Sequence, residues 1–172
     1  MNKLIILIII IISSSSCKKK KYEYNLKIHQ DLISEINQYF MNETNANIDL
    51  DQYYAEDFIF YSYPVLYKKG IPTSKNDYIN GLKKMKGMNM SINIHHTIYL
   101  PGLDEKSYKI NGSVRLYYGA TISIDTNYVD FSGYQTINFV DGKVKAIWEW
   151  ADYGGVENQL NNFLQTENKD LN

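Results

Sequence analysis

Asp152 and His96 are the two side chains in this sequence whose type and setting suit proton transfer. Asp152 follows Val144, Ala146, Trp148 and Trp150 at a spacing of two, the period of an extended strand, and so continues an otherwise apolar face. Lys143, Lys145, Ile147, Glu149 and Ala151 fall on the opposite face. A carboxylate on an apolar face is costly unless it is paired, hydrogen-bonded or protonated, and a group held that way suits general acid or base work. The competing role is structural, with Asp152 accepting backbone N–H bonds at the Gly154-Gly155 turn or capping a closing helix. Parity also sets His96 on the inward face of an earlier strand and His95 on the outward one, so that His96 either shares a cavity with Asp152 or is a core histidine. Tyr61, Tyr63, Tyr118, Trp148 and Trp150 supply aromatic surface that holds a flat apolar ligand or simply fills a core. With three histidines, two of them adjacent and therefore opposed, a metal site is not expected. Neither a nucleophile elbow nor a dinucleotide or phosphate-binding loop is present, and no cofactor is implied.

The elements that must position these residues follow from periodicity. Leu26 to Met41 carries apolar residues at three- and four-residue spacing and reads as an amphipathic helix. Asn42 to Asn47 is a polar interruption, and Leu50 to Tyr54 reads as a second short helix. Phe58 to Tyr63 is aromatic and β-prone, with Pro64 ending it or confining it to an edge. Ser74 is a helix N-cap for Lys75 to Lys86, closed by Gly87. From Met90 the period changes to two, and Met90, Ile92, Ile94, His96, Ile98 and Leu100 form one face of a long strand. Two further strands cover Tyr108 to Ala120 and Tyr128 to Val140. The Asp141-Gly142 hairpin signal then leads into the Trp148 strand, and Val156 to Leu164 reads as a closing helix. Helices first and four long strands afterwards predict an α+β fold, a curved antiparallel sheet rolled over N-terminal helices.

The first 16 residues read as an address. Lys3 precedes nine apolar residues, Leu4 to Ile12, too few for the ~20 a spanning helix needs but suited to a secretory signal. Ser15, Ser16 and Cys17 resemble a bacterial lipobox, which implies a lipid-modified Cys17 as mature amino terminus and a protein of the bacterial cell envelope anchored to a membrane. Ser14 stands where the usual pattern has an aliphatic residue, and ordinary secretion would leave Cys17 an odd thiol. Residues 17–25 form a lysine-rich tether, 26–165 one domain and 166–172 a polar tail. Setting Lys3 aside takes the 18 basic side chains to 17 against 19 acidic ones, so no broad basic surface recommends nucleic acid as a partner. Cys17 is the single cysteine, which excludes an intrachain disulfide. On the outward faces Tyr99, Tyr117 and Ile147, with Arg115 and Glu149, offer either a homodimer interface or a solvated sheet.

Asp141-Gly142-Lys143, Trp148, Asp152 and Gln159-Leu160 resemble the end of the SnoaL-like branch of the nuclear transport factor 2-like superfamily. The segment YYAEDFIFYSYP, residues 53–64, resembles its opening. The resemblance implies a cone-shaped roll with a pocket, and in the cyclases of that branch the aspartate at the position of Asp152 is the acid/base on an enolisable substrate. Steroid isomerases of the same fold keep an aspartate before a proline, where this chain has Tyr63-Pro64, so chemistry of that type is not expected. Two functions remain: a lipoprotein domain holding a small apolar molecule or a partner, and a cyclase- or isomerase-like catalyst using Asp152 with His96 or a tyrosine.

Overall fold

The computed structural model describes residues 2–42 and 48–170, with side chains placed for 19–42 and 48–163. The apolar leader, Cys17 and the polar interruption at 43–47 thus lie outside the described side chains. Helix α1 spans Asn2–Met41 and is followed by strands β1 (Tyr54–Ser62) and β2 (Ile71–Ser74), helix α2 (Lys75–Gly87), strands β3 (Met90–Leu103), β4 (Ile110–Ile124), β5 (Asn127–Val140) and β6 (Lys143–Ala151), and helix α3 (Tyr153–Asp170). The strands form one sheet in the order β2-β1-β6-β5-β4-β3. All pairings are antiparallel except β1 with β6, so the sheet has six strands with one parallel pair where sequence periodicity showed four long strands. Among the described residues no helix is long and apolar enough to cross a membrane.

The inner face of the sheet is divided between a packed core and a cavity. At one end Leu32 and Ile36 of α1 bury against Val114, Leu116, Ile137 and Val144. The helix enters this core earlier than its amphipathic stretch suggested. Tyr22 packs on it, and Asn25 is buried with its Nδ2 donating to the Gly112 carbonyl at 2.8 Å. Further along α1, Asn37 donates to the Ile94 carbonyl at 2.8 Å and accepts from the Ile94 N–H at 2.9 Å. Those two bonds satisfy backbone groups on the free side of β3, an edge strand. Ser74 caps α2 as expected, accepting from the Asp77 N–H at 3.3 Å while its hydroxyl donates to the Asp77 carboxylate at 2.6 Å.

The short helix expected at 50–54 is a turn instead. Asp49 Oδ1 accepts from the Asp51 N–H at 3.1 Å, and the Tyr53 carbonyl already accepts from Val144 of β6 at 2.7 Å. That bond starts the parallel ladder, and Tyr54 opens β1 with its ring buried against Phe58 and Tyr78.

Two bulges decide which residues face inward. On β3, His95 is opposite Gly119 and Ile98 opposite Tyr117, so three steps on one strand match two on the other. The extra residue is accommodated at His96, whose φ is +49°, and the strand emerges with its faces exchanged. Ile92 and Ile94 face inward, whereas Ile98 and Leu100 face solvent and Tyr99 turns in towards His29. On β6, Ala146 is opposite Asn138 and Val144 opposite Phe139, which leaves Lys145 as the extra residue. Asp57 of β1 forms an ion pair with Lys145 at this point. Beyond it Ile147, Glu149 and Ala151 face inward, and Trp148 and Trp150 face outward, the reverse of the parity read from the sequence.

Candidate functional site

A cavity of about 520 Å³ occupies the half of the inner face not filled by α1. Its walls are the inner faces of β1 and β3–β6, with α2 across one side and α3 at the rim. Most of the lining is apolar, and Ile92 and Ile94 of β3 contribute as the sequence indicated. The polar groups are gathered around Glu149. Its Oε2 accepts from the Tyr118 hydroxyl at 2.8 Å and from Gln135 Nε2, and its Oε1 accepts from the Tyr153 hydroxyl at 2.6 Å. Each donor arrives from a different element: Tyr118 from β4, Gln135 from the position opposite Glu149 on β5, and Tyr153 from the first turn of α3.

Gly133 makes the Tyr118 contact sterically possible. Tyr118 is opposite Gly133 on β5, and its ring lies over that glycine on the way to β6, where a methyl group at 133 would overlap the ring and hydroxyl. Burial raises the phenol pKa values of Tyr118, Tyr153 and Tyr78, and in each case the negative charge of Glu149 adds to the effect. These phenols therefore remain protonated donors at any physiological pH. Gln135 is 5% exposed, and its Oε1 has no hydrogen-bond partner within the protein. The amide orientation is set by its neighbour, since a carboxylate only accepts and Nε2 must face it.

The residues singled out by sequence are distributed differently. Asp152 is exposed and accepts from the Gly155 N–H through Oδ1 at 2.9 Å, while the Val156 N–H reaches its carbonyl at 3.1 Å. It is the N-cap of α3, and Gly154 and Gly155 belong to the first helical turn instead of separating strand from helix. His96 is exposed at the β3 bulge with its Nδ1 2.5 Å from that of His95, and it does not share the inward face. His95 Nε2 lies 3.1 Å from the Thr121 hydroxyl. Tyr118 lines the cavity, whereas Tyr61, Tyr63, Trp148 and Trp150 stack on the outer face of the sheet. Tyr61 and Trp148 are nearly parallel at 5.6 Å between centroids, and Tyr63 and Trp150 lie 4.6 Å apart. Tyr134 continues that row at 5.7 Å from Trp150, followed by Tyr117 at 4.6 Å from Tyr134. Of the groups expected outside, Tyr117 is there, but Tyr99, Ile147 and Glu149 face inward.

Glu149, the carboxylate of the cavity wall, falls on the outer face by sequence parity, and Gln135 and Tyr153 carry no signal of their own. Among the described residues no group of three His, Cys, Asp or Glu side chains is placed to hold a metal.

This architecture, a curved sheet rolled around a cavity with helices across its open side, is the cone fold of the nuclear transport factor 2-like proteins, to which the SnoaL-like branch belongs. Solved structures of that fold match most of the chain. A nuclear transport factor 2-like protein from Burkholderia xenovorans LB400 superposes with a TM-score of 0.57 at 13% identity, covering 80% of this chain and 95% of its own. An LEH-like epoxide hydrolase from M. tuberculosis gives 0.55 at 12% identity, with 84% and 97% covered. PrhC from Penicillium brasilianum gives 0.58 at 13% identity, with 86% and 92% covered. No family model and no curated sequence matches the chain.

Proposed function

We propose that this protein is an envelope lipoprotein whose cone-shaped domain holds a small, largely apolar molecule in the cavity around Glu149. The observation that carries the reading is the cavity itself, about 520 Å³ within the size range of small-molecule sites, apolar over most of its wall and polar at one cluster. Binding is favoured over proton transfer because the Glu149 oxygens already accept hydrogen bonds from three protein side chains, which leaves only one of the carboxylate's roughly four acceptor positions for a substrate proton. Asp152, the residue matching the cyclase aspartate, caps α3 from the solvent side. Native mass spectrometry of the protein purified from its own host tests the proposal. A mass increment that is lost when the cavity is obstructed by Ile92→Trp is expected, and apo protein under gentle conditions would refute it.

The lipoprotein part of the reading is supported by the Leu4 to Ile12 run ahead of Cys17. Cys17→Ala should move the protein from the detergent-extracted membrane fraction to the soluble one. We further propose a homodimer through the outer sheet face, where Tyr63, Trp150, Tyr134 and Tyr117 form a continuous aromatic row ending beside Ile98, which is 61% exposed. Sedimentation at tens of micromolar, an order-of-magnitude choice for a modest interface, should show a dimer that Tyr117→Lys dissociates.

A further inference from the structure

We infer that His95 and His96 form a binding site for a late first-row divalent cation, Cu²⁺ foremost, on the outer face of the sheet. Neighbours on a regular strand point to opposite faces, and the sequence period sets these two apart. The β3 bulge undoes that separation. Among the described residues His96 is the one non-glycine residue within a strand whose φ is positive, at +49°, and the bend there brings its Nδ1 within 2.5 Å of that of His95. Gly119, opposite His95 on β4, leaves the rings their room, since a methyl group there would stand 3.1 Å from the His95 ring and 3.6 Å from His96 Nδ1. Beside the pair is a hollow of about 550 Å³ whose lining includes Tyr117, Asp130 and Ser132.

The surrounding hydrogen bonds fix which nitrogen of His95 carries a lone pair. The Thr121 hydroxyl has one proton and donates it to Asp130 Oδ1 at 2.6 Å, since a carboxylate only accepts. Its oxygen then accepts from the His95 Nε2–H at 3.1 Å. His95 therefore keeps its ring proton on Nε2 and presents a lone pair at Nδ1, towards His96. Two lone pairs cannot share that gap, so either a proton on His96 Nδ1 or a metal ion lies between the rings. Metal-bound imidazoles are oriented by their second N–H, and the chain from Asp130 through Thr121 to His95 Nε2 supplies that hold. To admit a metal, His96 moves its proton from Nδ1 to Nε2, a tautomer change with no net proton release from neutral rings. Metal–nitrogen bonds of about 2.0–2.1 Å at a right angle set the nitrogens about 2.9 Å apart, so the rings must open by a few tenths of an ångström. No third His, Cys, Asp or Glu completes the set among the described residues, and solvent in the hollow takes the remaining positions. Two imidazoles without thiolate or carboxylate select Cu²⁺ first and Ni²⁺ and Zn²⁺ after it, and do not suit Mg²⁺ or Ca²⁺.

Cu²⁺ titrated into the full chain at neutral pH, with the backbone followed by NMR, locates the ion, because its unpaired electron broadens nearby resonances. The amides of His95, His96, Gly119 and Thr121 should broaden first, well below one equivalent. In calorimetry Cu²⁺ should bind more tightly than Zn²⁺, and Mg²⁺ should not bind. His95→Ala and His96→Ala should each lower Cu²⁺ affinity at least tenfold. Thr121→Val keeps both ligands but removes the acceptor that orients His95, and should lower it by about tenfold. If a variant fails to fold, the broadening pattern of the unmodified chain decides the question. Broadening that starts elsewhere, at Cys17 above all, overturns the site, and so does the absence of binding at one equivalent. Cu²⁺ affinity unchanged in both histidine variants, or in Thr121→Val, overturns it equally.

Discussion

Glu149 is held by groups that can do little else. Tyr118 and Tyr153 are donors whose protons burial retains, and Gln135 is opposite it in the ladder, so the carboxylate is tied to donors from three different elements. Gly133 belongs to the same device, because it is the gap through which the Tyr118 ring passes. Gly133→Ala should cost about 1–3 kcal/mol by overpacking, read as a lowered urea midpoint. The same substitution in a Tyr118→Ala background should cost less than half as much, since the clash partner has gone; a fully additive cycle would show that the glycine serves some other purpose. Tyr118→Phe removes one hydrogen bond to a charged acceptor and should cost roughly 1–2 kcal/mol at this half-buried site.

Strand bulges, single-residue events at the scale of whole elements, determine what the sheet presents. Each exchanges the faces of the strand beyond it, and neither leaves a mark in the pattern of residue types. Around the β6 bulge Ala146, Ile147 and Trp148 are three apolar residues in a row, so either parity continues equally well from Val144, and Glu149 passes as an outward residue between two tryptophans. Around the β3 bulge His95, His96 and Thr97 are equally uninformative about direction. Where no bulge intervenes the alternation is legible: the inward set on β4 through Leu116, Tyr118 and Ala120 reads directly from the sequence. The Asp141-Gly142 turn is legible too, since both residues take positive φ, +47° and +73°. Fold class, helix α2 with its Ser74 cap and half the cavity wall were therefore accessible to sequence reasoning, whereas the central carboxylate was not. The cap at the start of α3 gives a test at this scale. Asp152→Ala should destabilise the protein by ~1 kcal/mol while Asp152→Asn is nearly neutral, as measured by thermal unfolding of the two variants side by side.

For the molecule as a whole, α1 is a lid over half of the inner face, and His29 lies within that interface. It is 0% exposed, neither ring nitrogen has a protein partner, and the Tyr99 ring meets it edge-on at 5.9 Å. Burial lowers its pKa from 6.5 to about 4, so between those values the unfolded chain binds a proton that the folded chain refuses. Stability is accordingly complete above about pH 6.5 and falls as the pH drops towards 4, by up to about 3 kcal/mol at 1.36 kcal/mol per unit. His29→Phe should flatten this part of the stability curve in urea titrations at pH 7 and pH 4.5, whereas an unchanged acid loss would assign it to other groups. The outer face has a consequence of a different kind. Both tryptophans of the chain lie there, each stacked on a tyrosine, while the cavity contains none. Indole emission from this protein thus reports on the convex surface: under the proposed homodimer its wavelength should follow protein concentration, and it should remain indifferent to whatever occupies the interior.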